Sequence, residues 1–515
     1  MWLKYVSSRS IGRAAHIALA WFAFAWAVAR ACVQAVTGDE AQDYLFYAYR
    51  NDPSHWIPAA NNHMLNSLAE RALASIFGLS ALTLRIPTLA GAALYIYIAY
   101  RITQAISQEW KVRIPVFVCL VYNPFIFDFF VAARGYGIAN AFLIAAIAAS
   151  ASWHLWREHF EDGGGRELIA ATAISSASIA MAFTANFSLA FTGATTMVLL
   201  LVWATRARAA SLGKLAAAGL IPGLAVVLLI PSWTILHFPQ REVVAGTKSL
   251  KEMLMSLVNA SRYRPNPYTL NPLLFPVFDF LYKVILPVVG VLALARLVWI
   301  VRDRVWRKGP HPAWLCALGG LALSAAVLAV GEHRLAYRLT HLLMPVSRTA
   351  LFLLPLVTLA IGIAAAIPAV SRGSEWSRIA LIGSLCVLSV FDFGCMRLNY
   401  FQEWDYQQDL KEGYKVLACY NHEKNIQDVE SSWEYHGGLL LARVMSGKET
   451  FPRFSSTTPH TTGHQVYVLE RNFERDFILQ QGLKIVWEAK NSGMAIAMRP
   501  ELADDKGGAC YVWND

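Results

Sequence analysis

Long apolar runs recur along the first four-fifths of the chain and then stop. A membrane-spanning helix needs roughly 20 mostly apolar residues, and about eleven segments satisfy this requirement. After Asn399 the chain turns polar, and no later stretch could cross a bilayer. The pattern predicts an α-helical polytopic membrane module over residues 1–398 and a soluble domain over residues 399–515. The predicted spans are 12–36, 81–103, 112–132, 137–156, 167–185, 187–205, 212–233, 277–300, 313–331, 348–370 and 378–397.

Composition and charge support this division and orient the chain. Charged residues make up 16% of the 515 residues, whereas soluble proteins usually carry about 25%. The net charge of +10 does not indicate a nucleic-acid partner, because the basic residues occupy every second short loop, starting at the N-terminus. By the positive-inside rule these loops are cytoplasmic. Eleven spans then place the C-terminal domain outside, in the periplasm of a bacterium, and the protein in the inner membrane.

The C-terminal segment has the pattern of a small α/β domain. Short apolar runs predict strands, and two longer segments, 430–446 and 471–481, predict helices. Cys419 and Cys510 are expected to form a disulfide if the domain lies on the oxidising side. His460 and His464 are interpreted as polar loop residues, with a metal-binding pair as the alternative. The predicted strands are Lys415–Cys419, Gln465–Glu470, Lys484–Glu488 and Met494–Met498.

The first external loop, residues 37–80, begins with two adjacent acids. Asp39 and Glu40 follow directly on the first predicted span. Carboxylates close to hydrocarbon are unfavourable unless they are paired or functional. One interpretation is a general base, or the support of one, facing an acceptor group. The alternative is a pair of solvated loop acids.

Further candidate residues follow in the same loop and at the start of the second span. Trp56–Pro58 and the Asn62–His63 pair precede apolar residues at helical spacing, which end at Gly78. This spacing predicts an amphipathic helix in the membrane interface. Arg85 begins the second span and could either reach lipid phosphates or bind a substrate phosphate.

Three ordered motifs resemble a known superfamily. The string GDEA…WIP…NNHMLNSLAERALASIFGLSALTLRIPTLAG, over residues 37–91, is similar to the first external loop and second span of the C-type (GT-C) membrane glycosyltransferases. It most resembles the bacterial branch that contains lipid A aminoarabinose transferases and mannosyltransferase-like proteins. NP…ARGY at residues 123–136 and MPVSRT at residues 344–349 resemble two later motifs. His63 is followed by Met-Leu instead of the branch's usual Pro-Pro, which leaves the donor sugar and the acceptor open.

The resemblance implies a fold, a reaction and a set of site residues. Such an enzyme transfers a sugar, with inversion, from a polyprenyl-phosphate donor to an envelope lipid, glycan or protein on the periplasmic face. Asp39 is the expected base, with Glu40 in support, and Arg134 with Tyr136 is expected to bind the donor phosphate. Further phosphate candidates are Arg85, Arg338 and Arg348, and candidates for sugar or acceptor binding are Asn62, His63 and, with less support, His341.

No cofactor is expected. The chain lacks the GxxxxGK[ST] loop and a GxGxxG after a strand, which are typical of nucleotide sites. Asp39, Glu40 and Asp43 could hold a divalent metal, but three loop acids are not a metal signature, so metal-independent chemistry is predicted. Two other functions remain open: a lipid or glycan transporter or flippase, and a non-catalytic relative that binds a glycan or lipid.

Overall fold

The computed structural model describes residues 2–49, 59, 61–160, 164–237, 246–307, 312–447, 453–503 and 510. The Trp56–Pro58 segment of the first loop lies outside these residues. Helices dominate the chain up to residue 397. Within the described ranges they are α1 (Trp2–Val33), α2 (Gly38–Asp43), α3 (Met64–Phe77), α4 (Ala81–Ile106), α5 (Trp110–Val121), α6 (Pro124–Asp128), α7 (Gly135–Phe160), α8 (Gly165–Ala185), α9 (Ala190–Arg206), α10 (Leu212–Leu229), α11 (Ser232–Leu236), α12 (Leu250–Ser261), α13 (Phe275–Phe280), α14 (Leu286–Arg307), α15 (Ala313–Thr340), α16 (Leu353–Ala366) and α17 (Arg372–Gly394).

Nine helical segments of the described chain are long and apolar enough to cross a membrane, and each coincides with a predicted span. The two remaining predicted spans are interrupted. Residues 112–132 break at Asn123, whose side chain caps α6 by accepting from the backbone N–H groups of Phe125 and Ile126. Residues 348–370 begin as a 3-10 turn, and only the 14 residues of α16 are a regular helix. The polytopic helical architecture is confirmed, and the count of eleven crossings stays a prediction.

The chain divides into two compact groups, each of which consists of three segments that are not contiguous in sequence. We refer to them as the membrane group and the C-terminal group. The acidic pair of the first loop and Arg85 belong to the C-terminal group, whereas Arg134 belongs to the membrane group. The membrane group comprises Met1–Val28, Ile57–Asn66 and Pro87–Arg397, and the C-terminal group comprises Ala29–Trp56, Ser67–Ile86 and Leu398–Asp515.

The C-terminal domain contains a five-stranded mixed sheet, in agreement with the predicted α/β class. The strand order is β2-β1-β3-β5-β4, with β1 parallel to β2 and β3, and β5 antiparallel to β3 and β4. The predicted strands at 465–470, 484–488 and 494–498 are confirmed. The elements are α18 (Leu410–Lys424), β1 (Asp428–Ser431), α19 (Trp433–Ser446), β2 (Arg453–Ser455), β3 (Val466–Glu470), α20 (Arg475–Gln480), β4 (Lys484–Glu488) and β5 (Met494–Met498).

One predicted strand is wrong. Lys415–Cys419 lies within α18, whose buried residues Leu410, Val416, Leu417 and Tyr420 recur at helical spacing. The short apolar run by itself fits the pattern of a strand. The helical period becomes visible only over the longer segment from Leu410 to Tyr420. The same helix carries Cys419, which forms a disulfide with Cys510.

Polar side chains hold the loop before β3 to the sheet. Glu430 of β1 is fully buried and accepts a hydrogen bond of 2.6 Å from the Thr457 hydroxyl. Nδ1 of His460 lies 3.4 Å from Glu430, and its Nε2 lies 2.5 Å from Glu474. His464 is hydrogen-bonded to Asp428. Both histidines thus contact carboxylates inside the domain.

Candidate substrate-binding and catalytic site

Arg134 lies at the turn that connects α6, the second part of the interrupted span 112–132, to α7. Its side chain is fully buried, and its Nη2 donates to Oδ1 of Asn61 at 2.5 Å. The turn is tight because a Cβ on Gly135 would lie 1.9 Å from the carbonyl oxygen of Ala185. Only glycine permits this approach, which brings the start of α7 against the end of α8. The Arg-Gly-Tyr motif therefore combines a buried cation with the residue that allows its placement.

His63 lies beside this turn as a buried imidazole. Its Nδ1 is 2.9 Å from the carbonyl oxygen of Ala185, and because a carbonyl can only accept, Nδ1 carries the proton. The ring of Tyr136 meets the imidazole edge-on, with 4.6 Å between ring centroids. Burial and the positive charges of Arg134 and Arg348 hold the pKa of His63 well below its usual value, although the Ala185 hydrogen bond opposes them. His63 is therefore neutral at physiological pH.

Arg348 lies in the second interrupted span, residues 348–370. Its positive charge contributes to the lowered pKa of His63. The segment before it is fastened by a two-way backbone pairing between Thr247 and Met344, with both N···O distances at 2.9 Å. The backbone N–H of Ser347 also donates to the Ser256 hydroxyl of α12 at 2.8 Å. The loop before α12 and α12 itself thus set the position from which Arg348 acts.

Amide side chains complete the surroundings of Arg134. Asn62 is buried, and Asn66 at the start of α3 donates to the carbonyl oxygen of Ala133 at 3.2 Å. The structure therefore brings the predicted site residues His63, Arg134 and Tyr136 together within the membrane group. Asn62 precedes His63 in sequence and is buried, and the charge of Arg348 helps to lower the pKa of His63. Asn61 and Asn66 were missed as site residues, although both stand in the NNHMLN string that carried the resemblance.

Arg338 and His341 are placed differently. Both side chains are exposed at the C-terminal end of α15, and His341 caps that helix in the left-handed backbone conformation, with φ of +59°. Among the described residues, neither is hydrogen-bonded to the Arg134 cluster. Their predicted roles gain no support from their positions.

The acidic pair lies on the short helix α2, in the C-terminal group. The Thr37 hydroxyl accepts from the backbone N–H of Glu40 at 3.2 Å, and the Thr37 N–H donates to Glu40 Oε2 at 2.8 Å. This reciprocal capping box fixes the start of the helix. Asp39, between them, is half-buried, and Asp43 one turn later is fully buried.

Glu40 and Arg85 form a fully buried ion pair. Arg85 donates to Glu40 Oε1 from Nε and to Oε2 from Nη2, both at 2.9 Å. Its remaining N–H groups donate to three carbonyl oxygens at the end of α1, those of Ala31, Gln34 and Ala35. A guanidinium group has five N–H donors, so every donor of Arg85 is engaged inside the chain. Because all five donors are used inside the chain, Arg85 offers none in this conformation to a lipid phosphate or to a substrate phosphate, the two partners that its sequence position suggested.

The carboxylates of α2 do not form a cluster with metal-ligand geometry among the described residues. In the described residues, one set of three potential ligands converges within 4.8 Å, formed by Cys419, Glu423 and Cys510. Two of these are the disulfide-bonded cysteines. Asp39, Glu40 and Asp43 are not part of such a set. Metal-independent chemistry stays a prediction.

Comparison with known proteins assigns the fold. No protein-family model and no curated protein sequence matches the chain. The crystal structure of ArnT from Cupriavidus metallidurans bound to undecaprenyl phosphate is similar over 95% of this chain and 98% of its own, with a TM-score of 0.53 and 10% identity. The apo structure of ArnT from the same organism has the same coverage, with a TM-score of 0.41 and 11% identity. The chain therefore has an ArnT-like fold, in agreement with the fold that the resemblance implied.

Proposed function

We propose that this protein is a membrane glycosyltransferase that takes its sugar from a polyprenyl-phosphate donor and transfers it to an envelope acceptor on the periplasmic face. One observation carries the proposal. The buried guanidinium of Arg134 follows one interrupted span and donates to Asn61 in the segment that holds His63, and Arg348, in the other interrupted span, adds positive charge that helps to lower the pKa of His63. Converging positive charge in a partly dry site favours an anion such as a phosphate.

The phosphate is the leaving group of the proposed reaction. When the bond between the sugar's anomeric carbon and the phosphate oxygen breaks, negative charge grows on the phosphate. Cations fixed in advance stabilise this charge without reorganising. Interrupted helices at membrane depth are tolerated where they line a cavity or contact protein, which suits a site that admits a lipid headgroup. The similar ArnT structure holds undecaprenyl phosphate, which supports a carrier of this class.

Asp39 is the proposed base when the acceptor group is a hydroxyl. It would take the hydroxyl proton while the acceptor oxygen bonds to the anomeric carbon and the polyprenyl phosphate departs with the electron pair of the broken bond. This single displacement inverts the anomeric centre. Glu40, in contrast, is held by Arg85 and by the capping box. We therefore propose that Glu40 and Arg85 position α2, and that neither contacts substrate.

The proposed location is the bacterial inner membrane with the C-terminal domain in the periplasm. The Cys419–Cys510 disulfide suits an oxidising compartment. Nine or eleven crossings, both odd numbers, would each put this domain opposite the N-terminus. The basic loops of the sequence favour a cytoplasmic N-terminus.

A transfer assay tests the function. Purified protein is given radiolabelled sugars on undecaprenyl phosphate, with a crude envelope fraction as acceptor, in the presence and absence of EDTA. Asp39→Asn should lower transfer by roughly 10²–10⁴-fold, the usual contribution of a general base, while expression and thermal melting stay unchanged. Asp405→Asn, which alters an exposed acid, is the matched control. We expect EDTA to have no effect.

The outcomes separate the competing functions. Label transferred by wild type and Asp405→Asn but lost in Asp39→Asn supports the enzyme and its base. Active Asp39→Asn protein would remove Asp39 from that role. Carrier binding without transfer from any donor would favour a transporter or a non-catalytic lipid-binding relative.

A further inference from the structure

We propose that Gln407, in the C-terminal domain, is a positioning residue that fixes the helix carrying Asp39. This inference rests on the proposed function of Asp39 as the base. Gln407 lies in a 3-10 turn, Gln402–Gln407, that precedes α18. No sequence motif pointed to it, since a single glutamine in a polar segment has no recognisable signature.

Both the oxygen and the nitrogen of the Gln407 side-chain amide form hydrogen bonds. Its Oε1 accepts from the backbone N–H of Gly38, the first residue of α2, at 2.7 Å. Its Nε2 donates to the backbone carbonyl of Glu434 in α19. The side chain is 4% exposed, so water competes little for either bond. One side chain therefore connects the residue before Asp39 to a helix of the C-terminal domain.

Close helix packing surrounds this connection. A Cβ on Gly437 of α19 would lie 3.1 Å from the carbonyl oxygen of Gly38, and a Cβ on Gly38 would lie 2.9 Å from Nε2 of Gln407. Both distances are tighter than ordinary van der Waals contact, so glycine at these two positions lets α2 and α19 approach. The contact depends on backbone atoms and leaves little tolerance for displacement.

The segment before α2 and the start of α4 are held by other contacts. Arg30 and Gln34, near the end of α1, donate to the carbonyl oxygen of Tyr400 at 3.2 and 3.1 Å. The ring of Phe401 lies 5.4 Å from the guanidinium carbons of both Arg30 and Arg85. These contacts would survive the loss of Gln407. Replacing Gln407 should therefore free the first turn of α2 selectively, without releasing the domain.

A displaced base reduces the rate of proton transfer more than it reduces substrate binding. Shifts of about 1 Å in a catalytic group can lower a rate by about 10²-fold. Gln407 does not belong to the proposed phosphate-binding cluster. Its loss should therefore lower kcat and leave the KM for the lipid-linked donor unchanged.

The test compares three variants in the transfer assay. Gln407→Met keeps the length of the side chain and removes both hydrogen bonds. Gln407→Glu retains an acceptor for the Gly38 N–H and loses the donor to Glu434. Gln408→Met is the control, because among the described residues the Gln408 side chain donates to the nearby carbonyl oxygen of Asp405 and to neither α2 nor α19. We expect kcat to fall at least about tenfold in Gln407→Met, to take an intermediate value in Gln407→Glu, and to stay unchanged in Gln408→Met.

A second readout keeps the inference independent of activity. Hydrogen–deuterium exchange of the Gly38 amide should accelerate in Gln407→Met, with thermal melting unchanged. Unaltered kcat and unaltered Gly38 exchange would overturn the inference, as would a loss of kcat that merely follows the loss of folded protein. If wild type itself transfers no sugar, the proposed function fails, and Gly38 exchange alone decides whether Gln407 holds α2.

Discussion

Arg85 and Arg134 are both fully buried arginines, yet their surroundings differ in kind. Arg85 meets the Glu40 carboxylate and three carbonyl oxygens, which engage all five of its donors. Arg134 donates to the amide of Asn61 and shares its electrostatic influence on His63 with a second cation, Arg348. One arginine lies in a buried ion pair, and the other lies beside an amide and near a histidine on which a second cation also acts.

The comparison teaches that burial alone does not identify a substrate-binding arginine. A buried cation bonded to a carboxylate and to the end of a helix stabilises the fold, and a ligand would have to displace those bonds. A buried cation in a region shared with another cation favours an incoming anion. We therefore propose that the Arg134 cluster binds the donor phosphate and that Arg85 is a positioning residue.

The largest expected effect is a loss in the free energy of unfolding when Arg85 is replaced, which would distinguish its role from that of Arg134. Arg85→Met leaves the Glu40 carboxylate buried without its cation, and breaking such a pair typically lowers the free energy of unfolding by about 3–5 kcal/mol. Denaturant unfolding in detergent measures the change. The double variant Glu40→Gln/Arg85→Met should lose less than the sum of the two single variants, because the two side chains act as a pair. Unchanged stability together with weaker carrier binding would make Arg85 a phosphate ligand after all.

The next effect concerns Arg348. A hydrogen bond to a charged group contributes about 1.5–3 kcal/mol, so Arg348→Gln should weaken binding of undecaprenyl phosphate by at least about tenfold. Arg338→Gln is the matched control, because this exposed arginine should change the affinity by less than about twofold. Equal losses in both variants would indicate general electrostatic attraction instead of a defined site.

The smallest expected effect is the contribution of His63 to the pH dependence of the free energy of unfolding. Its folded pKa is held well below the usual value by burial, Arg134 and Arg348, whereas the unfolded chain has an ordinary value of about 6.5. The unfolded state therefore takes up the proton first as pH falls. The stability contribution is complete above about pH 6.5 and declines below it by about 1.4 kcal/mol per pH unit.

Unfolding free energies measured between pH 5 and 8 would reveal this slope. His63→Gln should reduce the slope by up to about 1.4 kcal/mol per pH unit, whereas His341→Gln, which changes an exposed histidine, should leave it as in wild type. A slope in His63→Gln that equals the wild-type slope would show that His63 does not contribute to it.

Much of the fold follows from the sequence because membrane spans are long and strongly apolar. The interruption at Asn123 was not predicted, since the apolar run continues through it and only the capping geometry ends the helix. Strand β1 was missed because it contains Asp428, Glu430 and Ser431. Glu430 can be buried because Thr457, which is distant in sequence, donates hydrogen bonds to its carboxylate. The hydrophobic periodicity of the sequence does not reveal such bonds.

The site was predicted less completely for a similar reason. The motifs indicated Arg134, Tyr136 and His63, but they gave Arg85 the same status as Arg134. Only the three-dimensional partners distinguish an arginine bound to Glu40 from one that acts on His63. Gln407 depends on a contact between residues far apart in sequence, and a single sequence carries no sign of it.

Binding of undecaprenyl phosphate to purified Arg134→Gln tests the central assignment most directly. Intrinsic tryptophan fluorescence in detergent micelles would give the affinity, with wild type and Arg338→Gln measured beside it. We predict that Arg134→Gln weakens binding by at least about tenfold, while Arg338→Gln binds like wild type. Wild-type affinity in a correctly folded Arg134→Gln protein would contradict the account, because the phosphate would then be bound elsewhere.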